Sequence, residues 1–385
     1  MNKDCRQRVE ALMTEGLKTG AFPGAVIMWG APGDPQMTFG GLRGLSRNRQ
    51  PVDGDLAYDL ASLTKLLSTT SLAMIENAAG RLDLQRPLAD GPLARALKAP
   101  FWKRITPEHL LAHQSGLPAW RAFHRLPELA ADERKRAVLA AIEAAGPDYP
   151  PAYKTVYSDL SFILLGFLLE EISGETLAAL FEKQVCEPLG IKSWRSIGKA
   201  KGVTGRKLGY CPSSGPLAPT EDGFRWGGPI GDREGGFRGP VPLGRPHDDN
   251  AAYLKPSAGH AGLFGSARAV WEIAAQWPAA LNRSGLLFQD EVLKNFLKAR
   301  PTACDPGRPL GFNLLSRLES LKSSALSPNS AGHTGYTGPA LWWDREADFI
   351  WLLLCNRVHP RATNKAWRAS SYQAAWPRSA SKASF

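Results

Sequence analysis

Residues 59–84 read DLASLTKLLSTTSLAMIENAAGRLDL. The recurrence of apolar residues predicts a helix over 59–79, ended by Gly80. Ser62 and Lys65 stand three apart inside it. Side chains at that spacing are helix neighbours, with about 5–6 Å between Cβ atoms. Two readings follow: an ordinary polar first turn with a capping or solvated serine, or a nucleophile with its base beside it. A serine hydroxyl is a poor nucleophile until a neighbour takes its proton. Lysine can take it when burial or another cation destabilises the ammonium. A helix N-terminus adds unpaired N–H groups and a positive dipole end, both suited to a developing oxyanion. The same spacing recurs at Ser196–Lys199 and Ser379–Lys382, so it also arises by chance; only Ser62 opens a strongly apolar helix.

Upstream, an amphipathic opening helix gives way at Pro23-Gly24 to AVIMWG, a strand, and QMTFGGLRG returns as its partner after a Pro32-Gly33-Asp34 turn. Downstream, residues 87–190 are helix-rich. ITPEHLLAH has Thr106 as N-cap with Pro107 at the first helical position, and SDLSFILLGFLLEEISG is apolar enough to be a buried helix. Residues 198–266 are rich in Gly and Pro, the composition of long functional or disordered loops. SARAVWEIAAQWPAALN restores a helix, GPALWWDREADFIWLLLCNRV reads as two strands around an Asp344–Asp348 turn, and a last helix could open after Pro360. Strands thus lie near both termini. The fold class expected is α+β: one antiparallel sheet built from both chain ends and flanked by helices, with an inserted mainly helical subdomain. The division is 1–86 with 255–385 for the sheet domain and 87–254 for the helical subdomain with its Gly/Pro-rich cleft loops.

The 385 residues carry a net charge of +11, with Lys and Arg scattered and no nucleic-acid motif, so no nucleic-acid partner is expected. The five cysteines are far apart and form no CxxC pair, which points to neither a zinc knuckle nor a disulfide framework. No apolar run approaches the ~18 residues of a membrane span, and the N-terminal pattern lacks a signal peptide's apolar core. The expectation is a cytoplasmic protein with no membrane partner and no cofactor.

Two more stretches bear on Ser62. Tyr157-Ser158-Asp159 precedes the most apolar helix, and a phenol near cations can shuttle protons. Taken alone it also reads as a packed aromatic beside a capping residue. His333-Thr334-Gly335-Tyr336-Thr337-Gly338 precedes the terminal hairpin; its glycines suit close approach of a backbone to a ligand, or simply a turn into a strand. Together, S-x-x-K, Y-S-D and H-T-G in this order resemble the serine β-lactamase and penicillin-binding protein superfamily, in its class C β-lactamase-like branch of esterases and D-alanyl-D-alanine-peptidase-like members. PEHLLAHQSGLP, VCEPLGI and AGHAGLFGSARAVWEIA resemble the branch between those motifs, so the resemblance spans nearly the whole chain.

The resemblance implies roles. Ser62 would be acylated, Lys65 would be the neighbouring base, and Tyr157 would act as general base and acid. Ser62 and Tyr336 would lend backbone N–H groups to the oxyanion hole, and Asp159, His333, Thr334 and Gly335 would contact substrate. Two positions depart from the pattern. Asp159 falls where many members have Asn; its charge favours the ammonium form of Lys65 and strengthens the claim of Tyr157 as base. His333 falls where β-lactamases usually have Lys, and an imidazole can be neutral at pH 7. That disfavours β-lactams and favours small esters or neutral amides, so the expected activity is that of a serine hydrolase with weak or absent β-lactamase activity. The alternative is a catalytically silent relative that only binds an acyl or peptidyl ligand. His109 and His113 have the i, i+4 spacing of zinc ligands but lack the glutamate of H-E-x-x-H, and His247-Asp248-Asp249 reads better as a cleft loop; no metal is expected. Trp120, Tyr153, Trp226, Phe237 and Tyr253 are candidates for pocket walls or for core packing.

Overall fold

The computed structural model describes residues 3–46, 48–193, 206–210, 212, 215–221, 241–318 and 326–362. Trp226, Phe237, Ser196 and the helix expected after Pro360 lie outside them. Helix α1 (Lys3–Lys18) leads into β1 (Gly24–Ala31) and β2 (Asp34–Gly41), which pair antiparallel as the sequence predicts. The chain then forms β3 (Ala57–Asp59), a π-helical stretch over Lys65–Thr70 and α2 (Ser71–Ala78). The inserted part contributes α3 (Pro107–Leu111), α4 (Ala131–Ala145), α5 (Asp159–Ser173), α6 (Leu177–Phe181) and the short β4 (Leu208–Tyr210). After it come α7 (Asp249–Tyr253), β5 (Leu263–Ser266), α8 (Ala267–Ala274), α9 (Gln276–Leu281) and α10 (Asp290–Leu297). Strands β6 (Asn313–Leu314), β7 (Ala331–Thr334), β8 (Ala340–Asp344) and β9 (Phe349–Cys355) close the described chain.

The main sheet has the order β2-β1-β9-β8-β7-β6, and every pairing in it is antiparallel. The first strand therefore sits beside the last, which joins the two chain ends into one sheet. Period-2 alternation explains why β1 and β9 are apolar throughout. Ala25, Ile27 and Trp29 of β1 and Trp351 and Leu353 of β9 pack on one face with Val9 and Met13 of α1. Val26, Met28, Ile350, Leu352 and Leu354 face the large core on the other side. A second sheet, β3-β5-β4, borders the helical block.

Helix α5 is the pillar of that block, with residues Leu160 through Leu169 all buried. Ser158 caps its N-terminus, accepting the Ser161 N–H at 3.3 Å, and Gly174 ends it in the left-handed conformation at φ 71°. Thr106 caps α3 as predicted, and the His109 ring returns to the Thr106 N–H, closing a capping box. Among the described residues no helix is long and apolar enough to cross a membrane.

The helix expected from Asp59 begins later. Asp59 ends β3, and its carboxylate accepts the N–H groups of Ala61 at 2.9 Å and His247 at 2.7 Å. An Asx turn of this kind competes with helix formation. Ala61 is left at φ 45°, a left-handed conformation that alanine rarely adopts and that sits directly before Ser62. Helical turns start only after that kink.

Candidate active site

Three separate segments meet at Ser62. The first is the kinked exit from β3. The second is the segment entering α5, which brings Tyr157 and Asp159. The third is the end of β7, with His333 and the turn that follows. The third is held against the first: Thr337 Oγ1 donates to the Asp59 carbonyl at 2.7 Å. A Cβ on Gly335 would lie 2.7 Å from the Leu60 carbonyl oxygen, so only glycine permits this approach. The strand β5 side is fixed as well, by Leu60 N–H to the Leu263 carbonyl at 2.9 Å and Leu263 N–H to Thr64 Oγ1 at 3.1 Å.

Lys65 is the buried hub. Its Nζ donates to Ser62 Oγ at 3.2 Å and to the His260 carbonyl at 2.8 Å, and pairs with Asp159 Oδ1 at 2.7 Å. It also lies 4.9 Å from the centre of the Tyr157 ring. Burial alone would lower the lysine's proton affinity, but the Asp159 carboxylate and Tyr157 outweigh it, so Lys65 sits above its ordinary value. The amine is an ammonium, as the aspartate at position 159 led one to expect. The His260 carbonyl reaches Lys65 because Gly259 lies against α5, where a Cβ would come within 2.1 Å of the Phe162 carbonyl oxygen.

Tyr157 is partly exposed, whereas Lys65, His113 and His333 around it are buried. Its ring stacks on His113 at 4.5 Å and meets the His333 ring at 5.8 Å. His113, at φ 56°, accepts the Ser158 N–H on Nδ1 at 2.9 Å. Burial, with Arg308, Lys65 and His333 adding to it, holds His113 well below its usual value, so it stays neutral. His333 bonds the Thr334 carbonyl through Nδ1 at 2.7 Å. Burial, then Arg308 and Lys65, push it down to about 3, so position 333 carries no charge at neutral pH. Thr334 thus acts on the imidazole through its backbone, fixing the tautomer with the proton on Nδ1.

The backbone N–H groups of Ser62 and Tyr336 have no acceptor among the described residues, and they lie in the two segments that Gly335 lets approach each other. The Tyr336 ring is half exposed and rests between His247 at 5.4 Å and the Arg357 guanidinium at 4.8 Å.

Several residues at the site were not legible in sequence. Arg308 enters from the connection ahead of β6, with its guanidinium 5.8 Å from the centre of the Tyr157 ring. His260 is buried and bonds Asp248 at 2.9 Å, and Asp248 in turn caps α7 through the Ala251 N–H at 2.7 Å. That pair anchors the loop whose carbonyl holds Lys65. The His247 ring bonds Glu221 at 3.1 Å, so His247 and Asp248 serve the loop and not a common ligand. Of the aromatics considered for the pocket, Tyr253 is buried and donates to the Pro127 carbonyl at 2.8 Å, which makes it packing. Trp120 packs on His124 at 6.0 Å, and Tyr153 is exposed beside Tyr149.

Residues 9–374 match the model of the family described as Beta-lactamase. The chain belongs to the beta-lactamase family. Within the family it is 28% identical over 326 residues to a putative D-alanyl-D-alanine carboxypeptidase of Escherichia coli O157:H7, covering 80% of this chain and 71% of that one. It is 26% identical over 379 residues to an N-acetylmuramyl-L-alanine amidase of Bacillus subtilis, covering 92% and 81%. Among solved structures, EstCE1, a hydrolase with promiscuous acyltransferase activity, superposes with a TM-score of 0.71 at 20% identity, covering 97% of this chain and 98% of that one. The D-amino acid amidase of Ochrobactrum anthropi superposes at 0.66 with 17% identity, covering 91% of each. The fold class expected from the sequence is the one these beta-lactamase-like structures share.

Proposed function

We propose that this protein is a serine hydrolase that cleaves small esters or amides through an acyl-enzyme on Ser62. The observation that carries the reading is Lys65 Nζ, which lies 3.2 Å from Ser62 Oγ, 2.7 Å from Asp159 and 4.9 Å from the Tyr157 ring centre. With the Tyr157 phenol proton given up to solvent, Ser62 Oγ attacks the acyl carbon while its own proton passes to the phenolate oxygen, directly or by a relay in which Lys65 hands on one of its protons and takes the serine's. The carbonyl oxygen becomes an oxyanion bound by the N–H groups of Ser62 and Tyr336. Tyr157 then returns the proton to the departing alcohol or amine. Water attacks the acyl-serine in the second half: Tyr157 takes the water's proton and returns it to Ser62 Oγ as the acid departs. A charged Lys65 serves this cycle as a fixed cation beside the phenol and not as the resting base. Asp159 keeps it so, and Thr334 keeps His333 in one tautomer.

Esters and amides are favoured over β-lactams because position 333 offers a neutral imidazole where a carboxylate anchor would need a fixed charge. The relatives named for carboxypeptidase and amidase activity support an amide-cleaving reading. Turnover of p-nitrophenyl esters, D-amino-acid amides and a chromogenic β-lactam tests it. Ser62→Ala is expected to abolish all turnover, and Tyr157→Phe to lower it by roughly 10²–10⁴-fold. Undiminished hydrolysis by both variants would remove the proposal.

A further inference from the structure

His333 is uncharged, yet the site holds a second fixed cation. Arg308 is buried to 8% exposure, and its Nη2 has no hydrogen-bond partner among the described residues. Its Nε donates to the Phe312 carbonyl at 3.3 Å, and no carboxylate among the described residues pairs with it. A buried guanidinium without a counter-charge is costly to desolvate, and a negative charge forming beside it offsets that cost. Its guanidinium carbon lies over the Tyr157 ring, 5.8 Å from the centre. Lys65 stands at the same ring, at 4.9 Å, so two cations converge on one phenol.

We propose that Arg308 is a positioning residue for the Tyr157 proton transfer: it is the fixed cation, absent from position 333, against which the phenolate forms. The proposal rests on the reading of Tyr157 as base. The other charged or titratable groups around the phenol are accounted for. Lys65 is neutralised by Asp159, and His113 and His333 are held neutral. The Asp305 carboxylate, close in sequence to Arg308, is engaged by Thr155, Thr302 and the Gly307 N–H. Glu108 pairs with Arg300. Arg308 is therefore the one cation at the ring with no counter-charge of its own among the described residues. Burial lowers it from the usual arginine value to about 10, with Tyr157 opposing the drop, and it remains charged throughout the working range.

The test compares wild type, Arg308→Lys, Arg308→Met and Tyr157→Phe as purified full chains with matched circular dichroism. Profiles of kcat/KM against pH are recorded with p-nitrophenyl acetate and with the mono-p-nitrophenyl ester of succinic acid, which carries a carboxylate. Arg308→Met is expected to lower kcat/KM at pH 7 by about 10–100-fold on both substrates, through kcat, and to move the acid limb of the profile upward. The deficit narrows as pH rises. Arg308→Lys recovers most of the activity. In a Tyr157→Phe background Arg308→Met has no further effect, because the group it serves is gone. A loss confined to KM for the carboxylate-bearing ester would overturn the proposal and make Arg308 a substrate anchor. An unmoved acid limb in folded Arg308→Met would overturn it too. If Tyr157→Phe itself retained full activity, the assignment of the base would fail, which is a separate outcome.

Discussion

Replacing Asp159 with Asn removes the carboxylate that lies 2.7 Å from Lys65 Nζ and leaves the ammonium, 1% exposed, with only neutral acceptors. Breaking a buried ion pair by removing one partner costs about 3–5 kcal/mol. Asp159 is 18% exposed and an asparagine oxygen still accepts a hydrogen bond, so the expected loss here is about 2–3 kcal/mol. At about 2.1 cal/mol/K per residue, unfolding 385 residues carries an entropy of roughly 0.8 kcal/mol/K, so the melting temperature should fall by about 3 °C. The sign with pH is fixed. Lys65 lies above its ordinary value in the folded protein, so its contribution is fully present below the unfolded lysine range and is lost only as pH rises beyond it. In the variant, burial without the anion lowers Lys65, so the deficit should be largest at low pH, where the ammonium is still buried unpaired, and should shrink as pH rises and the neutral amine forms. The kinetic consequence is more telling. Without the anion, burial becomes the dominant influence on Lys65 and favours the neutral amine, which can itself accept the serine proton. Tyr157→Phe should then cost about 10³-fold in the wild-type background but tenfold or less with Asp159→Asn, measured as kcat/KM at pH 8. An equal cost of the tyrosine in both backgrounds would refute the view that Asp159 bars Lys65 from acting as base.

Two further outcomes are expected. His333 is neutral in the fold, at about 3 against 6.5 in an open chain, so its contribution is fully present above about pH 6.5 and is lost as pH falls toward 3. Urea titrations across that window should show stability falling by up to about 1.4 kcal/mol per pH unit for this residue, and His333→Gln should flatten the slope by one proton; an unchanged slope would contradict the burial argument. Gly259→Ala would place a Cβ 2.1 Å from the Phe162 carbonyl oxygen, forcing the His260 loop off α5. It should destabilise the fold by about 1–3 kcal/mol and lower kcat more than tenfold with the Lys65 hold loosened, and wild-type kinetics would show the contact to be unimportant.

Much of this was legible in the chain. The apolar runs of β1 and β9, the capping residues of α3 and α5 and the three motifs around Ser62, Tyr157 and His333 are local patterns, and local patterns survive into the fold. The start of the Ser62 helix was misread because its boundary depends on His247, whose N–H shares the Asp59 carboxylate from 188 residues away. Arg308 was invisible for a related reason. An arginine next to Gly307 and Pro309 looks like any surface loop residue until packing buries it under a tyrosine. His113 appeared as half of a doubtful metal pair; its left-handed backbone and its bond to Ser158 exist only once α3 meets α5. His260 and Asp248 followed the same pattern, two residues whose pairing exists only because their loop packs beside Lys65.

Covalent capture of the candidate nucleophile bears most directly on the whole account. The protein is incubated with a fluorophosphonate, its intact mass is measured, and the modified peptide is sequenced. One adduct per chain on Ser62, absent from Ser62→Ala and slowed in Tyr157→Phe, is the expected result. An adduct on another serine, or labelling of Ser62→Ala at the wild-type rate, would contradict it.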